Sequence, residues 1–334
     1  MSDTNTSPLG IRPHGGLLPL RVGTRGSPLA LWQTRHFLAL LRTFCPVLRD
    51  MDMFVEHAIH TSGDASQAAG TRLADIGGKG LFAKEIHEAL IDGRIDFAVH
   101  SLKDLETQLP PDIVLACTLK REDARDTLIL RPGLDRPDPA APYASLPPGA
   151  VIGTSSLRRQ AQLLHARPDL HAVTMRGNVQ SRLDKLAHGA CAATLLALAG
   201  LRRLGMEDAA SVVLDPEIMV PSAGQGIVGI TVRADNTELR DLLRAIEDPE
   251  AKAVSTAERA LLAELDGSCR TPIGGHARLL PGAAGQLHLT GLVARPDGTF
   301  LLKRSLTGPV ADAARLGREL GASLRADSPR DILA

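Results

Sequence analysis

The chain is 334 residues long, beyond the size at which a single hydrophobic core usually stops growing, so two or three domains are expected. Lys plus Arg and Asp plus Glu are equal at 38 each, which argues against a general polyanion-binding surface for nucleic acid or an anionic membrane and makes any cationic site local. No run approaches the roughly 20 apolar residues of a membrane span, and the N-terminus lacks the basic start and apolar stretch of a secretory signal. A cytoplasmic protein with a mobile tail over residues 1–18 is therefore expected. With 44% apolar but only 2% aromatic residues, aliphatic side chains on helices and parallel strands must fill the interior, which points to an α/β class.

LRVGTRGSPLALWQTRHFLALL reads as a strand ending at Gly23-Thr24, then a helix capped by Ser27 with Pro28 in its first turn. A strand near MFVEHAIH leads into the glycine-rich TSGDASQAAGTRLADIGGKG, long enough to be a mobile functional loop. The helix LFAKEIHEALIDG ends at Gly93, and RIDFAVHSLKDL reads as a strand running into a charged turn. The Pro/Ala-rich RPGLDRPDPAAPYASLPPGA reads as a surface insertion. After it, AVIGTSSLRRQAQLLHARPDL repeats the opening theme, with Gly153-Thr154 in place of Gly23-Thr24. HAVTMRGNVQSRLDKLAHG and CAATLLALAGLRRLG continue the alternation, Arg202 and Arg203 closing a strand. Two related α/β halves facing each other across a cleft are expected. VPSAGQGIVGITVR supplies a further strand, Asp248-Pro249 opens a long helix that Gly267 breaks, and QLHLTGLVA and TFLLKRSLTG with a final helix form a small α+β unit.

Arg158 and Arg159 fall in the first turn after Thr154-Ser155-Ser156, where the helix dipole is already positive, so two cations there point to a missing anion. Arg176 precedes Gly177-Asn178 at another strand-to-helix junction, Arg182 lies further along that helix, and Arg25 occupies the equivalent corner of the first half. Any one of them could be a solvated surface arginine. Their recurrence at one kind of corner, in a neutral chain, reads as a carboxylate or phosphate site. Nucleotide phosphates are disfavoured: in IGGKGLF, Lys79 is followed by Gly80 rather than Ser or Thr, and there is no GxGxxG. Asp104, beside Lys103 and downstream of His100 and Ser101, is either a surface partner of Lys103 or a carboxylate at the cleft mouth, able to stabilise a cation or shuttle a proton. Cys45, Cys117, Cys191 and Cys269 form no CxxC pair and suggest neither zinc nor disulfides. Cys269, in a glycine-flanked loop beside Arg270, is the most nucleophilic of them, and the other three read as packing residues. With no His identified beside it, covalent attachment competes with a hydrolase role.

The blocks GTRGSPLALWQ, GGKGLFAKEI, DFAVHSLKDL, IGTSSLRRQ, RGNVQSRLDKL, AGLRRLG, AGQGIVGI and ERALLAELDGSCRTPIG resemble, in order and spacing, those of the porphobilinogen deaminase (hydroxymethylbilane synthase) family. The resemblance implies two periplasmic-binding-protein-like α/β domains forming a cleft plus a smaller α+β C-terminal domain. The implied boundaries are 19–120 with 225–246, 121–224, and 247–334. It implies a monomeric, metal-free transferase that condenses four porphobilinogen molecules, with loss of ammonia, on a dipyrromethane cofactor held by Cys269 through a thioether, then releases hydroxymethylbilane by hydrolysis. Asp104 matches the family's catalytic aspartate. Ser101, Lys103, Thr154, Ser156, Arg158, Arg159, Arg182 and Arg203 fall on cofactor-binding positions, and Arg25, Ser27, Lys79, Phe82, Arg176 and Gln225 on substrate-binding ones. Glu106, where many members carry proline, Ala192, where many carry an acidic residue, and Arg270 and Thr271 depart from the family pattern. Two other readings stay open: a clamp that only binds a polycarboxylate, and a thiol hydrolase or acyltransferase with His276 as base.

Overall fold

The computed structural model describes residues 19–45, 53–64, 80, 82–265, 271–283 and 285–333. The expected tail, most of the glycine-rich loop with Lys79, and Cys269 with its neighbours lie outside them.

Two five-stranded sheets share one plan. The first contains β1 (Leu20–Arg25), β2 (Phe54–Ile59), β3 (Phe97–Ser101), β4 (Ile113–Thr118) and β10 (Val228–Arg233) in the order β2-β1-β3-β10-β4. The second contains β5 (Asp126–Leu130), β6 (Val151–Gly153), β7 (His171–Val173), β8 (Ala193–Ala197) and β9 (Val212–Val213) in the order β7-β6-β8-β5-β9. In each, the first three strands by position are parallel and the strand that follows them in the order runs antiparallel to both its neighbours. These are the two related α/β halves expected from the repeated motif.

Each half places a capped helix directly after its opening strand. Ser27 accepts a hydrogen bond from the Ala30 amide at 3.3 Å to start α1 (Pro28–Phe44), whose Phe37, Leu38 and Leu41 pack on Leu20, Val22 and Phe97. α2 (Lys84–Ile91) stops where Gly93 turns to φ 67°. In the second half, Ser156 caps α3 (Leu157–Ala166) and Asn178 caps α4 (Val179–Ala187).

Two expectations are corrected. Arg202 and Arg203 close not a strand but the short helix α5 (Leu198–Arg203). After Ala197, Leu198 and Leu201 fall three residues apart, and burying both on one face requires a helical turn. The Pro/Ala-rich stretch is not a mere surface insertion, because Tyr143 and Leu146 from it are buried against Leu128, Ile152 and Leu163. Its prolines erase the periodicity that would have revealed those anchors.

After α6 (Thr237–Arg244), Asp248 accepts from the Ala251 amide at 2.7 Å and opens α7 (Pro249–Glu264). The antiparallel sheet β11 (Ile273–Leu279), β12 (Gln286–Ala294) and β13 (Leu301–Pro309) and the helix α8 (Ala313–Asp327) complete the third unit. β11 was not foreseen, since the adjacent Gly274 and Gly275 weaken its strand signal.

The chain crosses between the two large sheets twice, over residues 119–125 and 214–227. The crossing segments run side by side, with the Glu122 amide donating to the Gly226 carbonyl at 3.0 Å. Gly226 has φ +87°, and a Cβ there would lie 2.2 Å from the Glu122 carbonyl oxygen, so the close approach requires glycine.

Candidate active site

β10 pairs Val228 with Ser101, and β5 pairs Asp126 with Ala197. Both crossings therefore enter their sheets at the carboxyl ends of the parallel strands, where open α/β sheets form ligand crevices.

On the first side, Asp104 ends the turn Leu102–Asp104 that follows β3, its side chain 36% exposed. Its Oδ2 lies 3.9 Å from Nη1 of Arg25, the last residue of β1. Arg25 also binds Asp64, Nη2 to Oδ1 at 2.5 Å, and its guanidinium sits 4.1 Å over the Phe82 ring. Burial would raise the Asp64 carboxyl, but hydrogen bonds from Arg25 and Thr61 hold it below the usual range. Arg25, Phe82 and Asp104 are thus brought together, with Asp64 as an addition that the sequence did not signal.

On the second side, Lys103 Nζ reaches Gln225 Oε1 at 3.4 Å. Burial pushes the amine down to about 8, against the pull of Asp104. Gln225 is buried and donates from Nε2 to the Ala124 carbonyl at 2.7 Å and to Asp126 Oδ1 at 2.9 Å. Asp126 is fully buried between Arg159, Nη2 to Oδ1 at 2.7 Å, and Arg158, Nη1 to Oδ2 at 2.8 Å. Burial would raise this carboxyl, and the two guanidiniums hold it well below the carboxylate range. Each arginine has a second anchor, Arg158 on the Val220 carbonyl at 2.6 Å and Arg159 on that of Leu195 at 2.9 Å. Asp126 was missed, although an acidic residue opening the apolar run DTLIL was an available signal.

Arg182 donates from Nε to the Gly177 carbonyl at 2.9 Å. Burial, followed by the charges of Arg159 and Arg176, pushes it down to about 10, with Asp104 opposing. Arg176 is itself buried, and its carbonyl takes Lys185 Nζ at 2.8 Å. Cations thus crowd one another here, while the buried Asp126 is engaged by Arg158 and Arg159. A polycarboxylate ligand suits such a donor set.

The remaining candidates hold the frame. Thr154 Oγ1 accepts from the Ser156 amide at 3.2 Å, and Ser156 Oγ from that of Arg159 at 3.4 Å. The Ser27 hydroxyl caps α1, while that of Ser101 lies 3.0 Å from Gln33 Nε2, a buried partner absent from the expectations. Arg203 Nη2 donates to the Gly226 carbonyl at 2.7 Å, and its guanidinium lies 5.9 Å over Trp32. His100 is buried with Nε2 2.9 Å from Thr231 Oγ1, and burial pushes its ring down to about 3, a neutral packing group. Burial pushes the Cys117 thiol up to about 12 and raises that of Cys191, as inert core thiols should behave. Glu106, where many members carry proline, places Oε1 3.3 Å from His87 Nδ1, while its Oε2 is buried without a hydrogen-bond partner among the described residues.

Residues 20–241 match the family described as porphobilinogen deaminase, dipyromethane cofactor binding domain, and residues 252–326 match the porphobilinogen deaminase C-terminal domain. Porphobilinogen deaminase of Paracoccus denitrificans is 45% identical over 94% of this chain and 96% of its own. That of Nitrobacter hamburgensis is 47% identical over 91% of this chain and 92% of its own. That of Sorangium cellulosum is 46% identical over 92% and 98% respectively. Among solved structures, the periplasmic VFT2 domain of Bordetella pertussis BvgS aligns with a TM-score of 0.37 and 16% identity, covering 68% of this chain and 86% of that one. With both family domains matched in order and such relatives spanning nearly its whole length, the chain belongs to the porphobilinogen deaminase family.

Proposed function

We propose that Asp104, Lys103 and the arginines gathered at the two crevices carry the activity of this family member, a hydroxymethylbilane synthase that condenses porphobilinogen around a dipyrromethane cofactor in porphyrin biosynthesis. The observation that carries this reading is the gathering of Arg158, Arg159, Arg176 and Arg182 in the second half, with Asp104 close enough to act on Arg182, a donor set that fits a ligand bearing several acetates and propionates. Ser101, Lys103, Thr154, Ser156, Arg158, Arg159, Arg182 and Arg203 would hold the cofactor, and Cys269 would attach it. When bound, the dipyrromethane supplies the pyrrole end onto which new units are joined. Arg25, Ser27, Lys79, Phe82, Arg176 and Gln225 receive the incoming substrate carboxylates and ring.

Asp104 Oδ2 faces the developing positive charge on the pyrrole nitrogen as ammonia leaves, where a fixed carboxylate stabilises the transition state. Arg25 orients it from 3.9 Å and is itself steadied by Asp64. Gln225, on the second crossing, links Lys103 of one half to Asp126 of the other, so the cation set and the acid keep one geometry. The hydrolase alternative loses ground. Burial and the charge of Arg121 push the His276 ring down to about 3, too weak a base at neutral pH.

The division into 19–120 with 225–246, 121–224 and 247–334, a monomeric state and a cytoplasmic location belong to the same proposal. The test is the denatured intact mass of the purified protein beside Cys269→Ser. An excess of two condensed pyrrole units in the parent, absent in the variant, is expected. A parent that stays unmodified and inactive after incubation with porphobilinogen would leave a polycarboxylate-binding clamp instead.

A further inference from the structure

Away from the crevices, between the edge strand β4 and the helices α6 and α7, lies a cavity of about 410 Å³, within the range of small-molecule sites. It is lined by Val114, Leu115 and Ala116 of β4 and by Arg240, Arg244, Lys252 and Arg259 against a single carboxylate, Glu247. Lys252 is paired with Glu247 at 2.7 Å, and Arg244 turns to Asp241 at 2.7 Å. The other two cations form no ion pair among the described residues. Arg240 Nη1 donates to the Ala234 carbonyl at 3.0 Å, and among the described residues Arg259 donates to carbonyls. The Glu106 carboxylate offsets part of the Arg259 charge, but the four lining cations still outnumber the one lining carboxylate, and such a surplus at one cavity suits an anion.

We infer that this cavity binds a compact polyanion, carrying two or more phosphate or carboxylate groups, that is not consumed in the reaction. Arg259 gives the site a line to the catalytic turn. Its Nη1 reaches the carbonyl of Leu105 at 3.1 Å, and its Nη2 reaches those of Glu106 at 2.7 Å and Thr107 at 3.3 Å, the three residues that follow Asp104. An anion in the cavity competes with those carbonyls for the same N–H groups and so alters how firmly the Asp104 turn is held. Binding stands independently of the role proposed for Asp104, and only the coupling rests on it.

The test uses the holoenzyme at low ionic strength, with pyrophosphate and tricarballylate as the phosphate and carboxylate probes. Initial rates at saturating porphobilinogen separate this site from the crevices, where substrate competes the probe away. The expected result is a change in kcat of roughly fivefold that excess substrate does not abolish. In Arg240→Gln/Lys252→Gln the half-saturating probe concentration should rise by about tenfold or more. Thr256→Glu, which sets a carboxylate on the exposed rim, should do the same by repulsion and guards against misfolding of the double variant. Which probe acts names the anion class. Binding by calorimetry that both variants lose, without any kcat change in the parent, would overturn the coupling alone. Effects that substrate fully competes away, or that both variants retain, would overturn the site.

Discussion

The two halves have the same strand order and the same capped corner, yet opposite electrostatic character. Counted from their caps, Ser27 and Ser156, the positions held by Leu29 and Ala30 in the first half are Arg158 and Arg159 in the second. The first corner keeps its carboxylates within reach of water, Asp104 at 36% exposure, and the second buries Asp126 completely beneath two guanidiniums. A duplicated backbone thus supports a division of labour. On the proposed function, one half would present an acid to a reacting centre, and the other a cationic receptor whose geometry is set by a buried anion.

The sharpest way to break that comparison is Asp104→Ala. Turnover should fall by about 10²–10⁴-fold, while the mass of the attached cofactor persists and stability moves by only about 0.5 kcal/mol, as for other surface substitutions. Steady-state kinetics with intact mass spectrometry check this, and near-normal turnover would remove the reactive role from the first half.

Asp126→Asn probes the second half through stability instead. An amide cannot compensate two buried guanidiniums, so urea unfolding should show a loss of about 3–5 kcal/mol. The pH sign follows from the depressed carboxyl of Asp126. In the parent, its stabilisation is present above the ordinary aspartate value of about 3.9 and fades as the pH falls below it, and the variant should lack that acid limb. An unchanged midpoint would mean that the arginines need no internal anion.

What could be read from the chain follows the range of the interaction. Ser27, Ser156, Asn178 and Asp248 were legible or nearly so, because each cap bonds an amide three residues on. The repeated arginine corner was legible because dipole and charge conflict locally. The partners of Asp126 were not, since Arg159 lies 33 residues away and Gln225 99, so the run DTLIL signals a buried acid but not what holds it. Nor was the hold of Arg259 on the Asp104 turn, a contact spanning more than 150 residues between the third unit and the first sheet. Likewise α5 hid within an apolar run that fits strand and helix equally until packing against a neighbour decides.

The smallest expected effect concerns Lys103, which joins the two halves through Gln225. Burial lowers its amine to about 8, whereas a free lysine keeps its proton to about 10.4. If its charge holds a cofactor carboxylate against which the incoming substrate docks, KM for porphobilinogen should rise roughly fivefold between pH 7 and 9. Lys103→Arg, permanently charged, should flatten that rise if the cation still fits, and Lys103→Gln should be weak at every pH. Unfolding cannot mimic the parent's profile through this group. Between about pH 8 and 10.4 the unfolded lysine binds more protons than the folded one, so the contribution of Lys103 to stability increases with pH while its contribution to binding disappears.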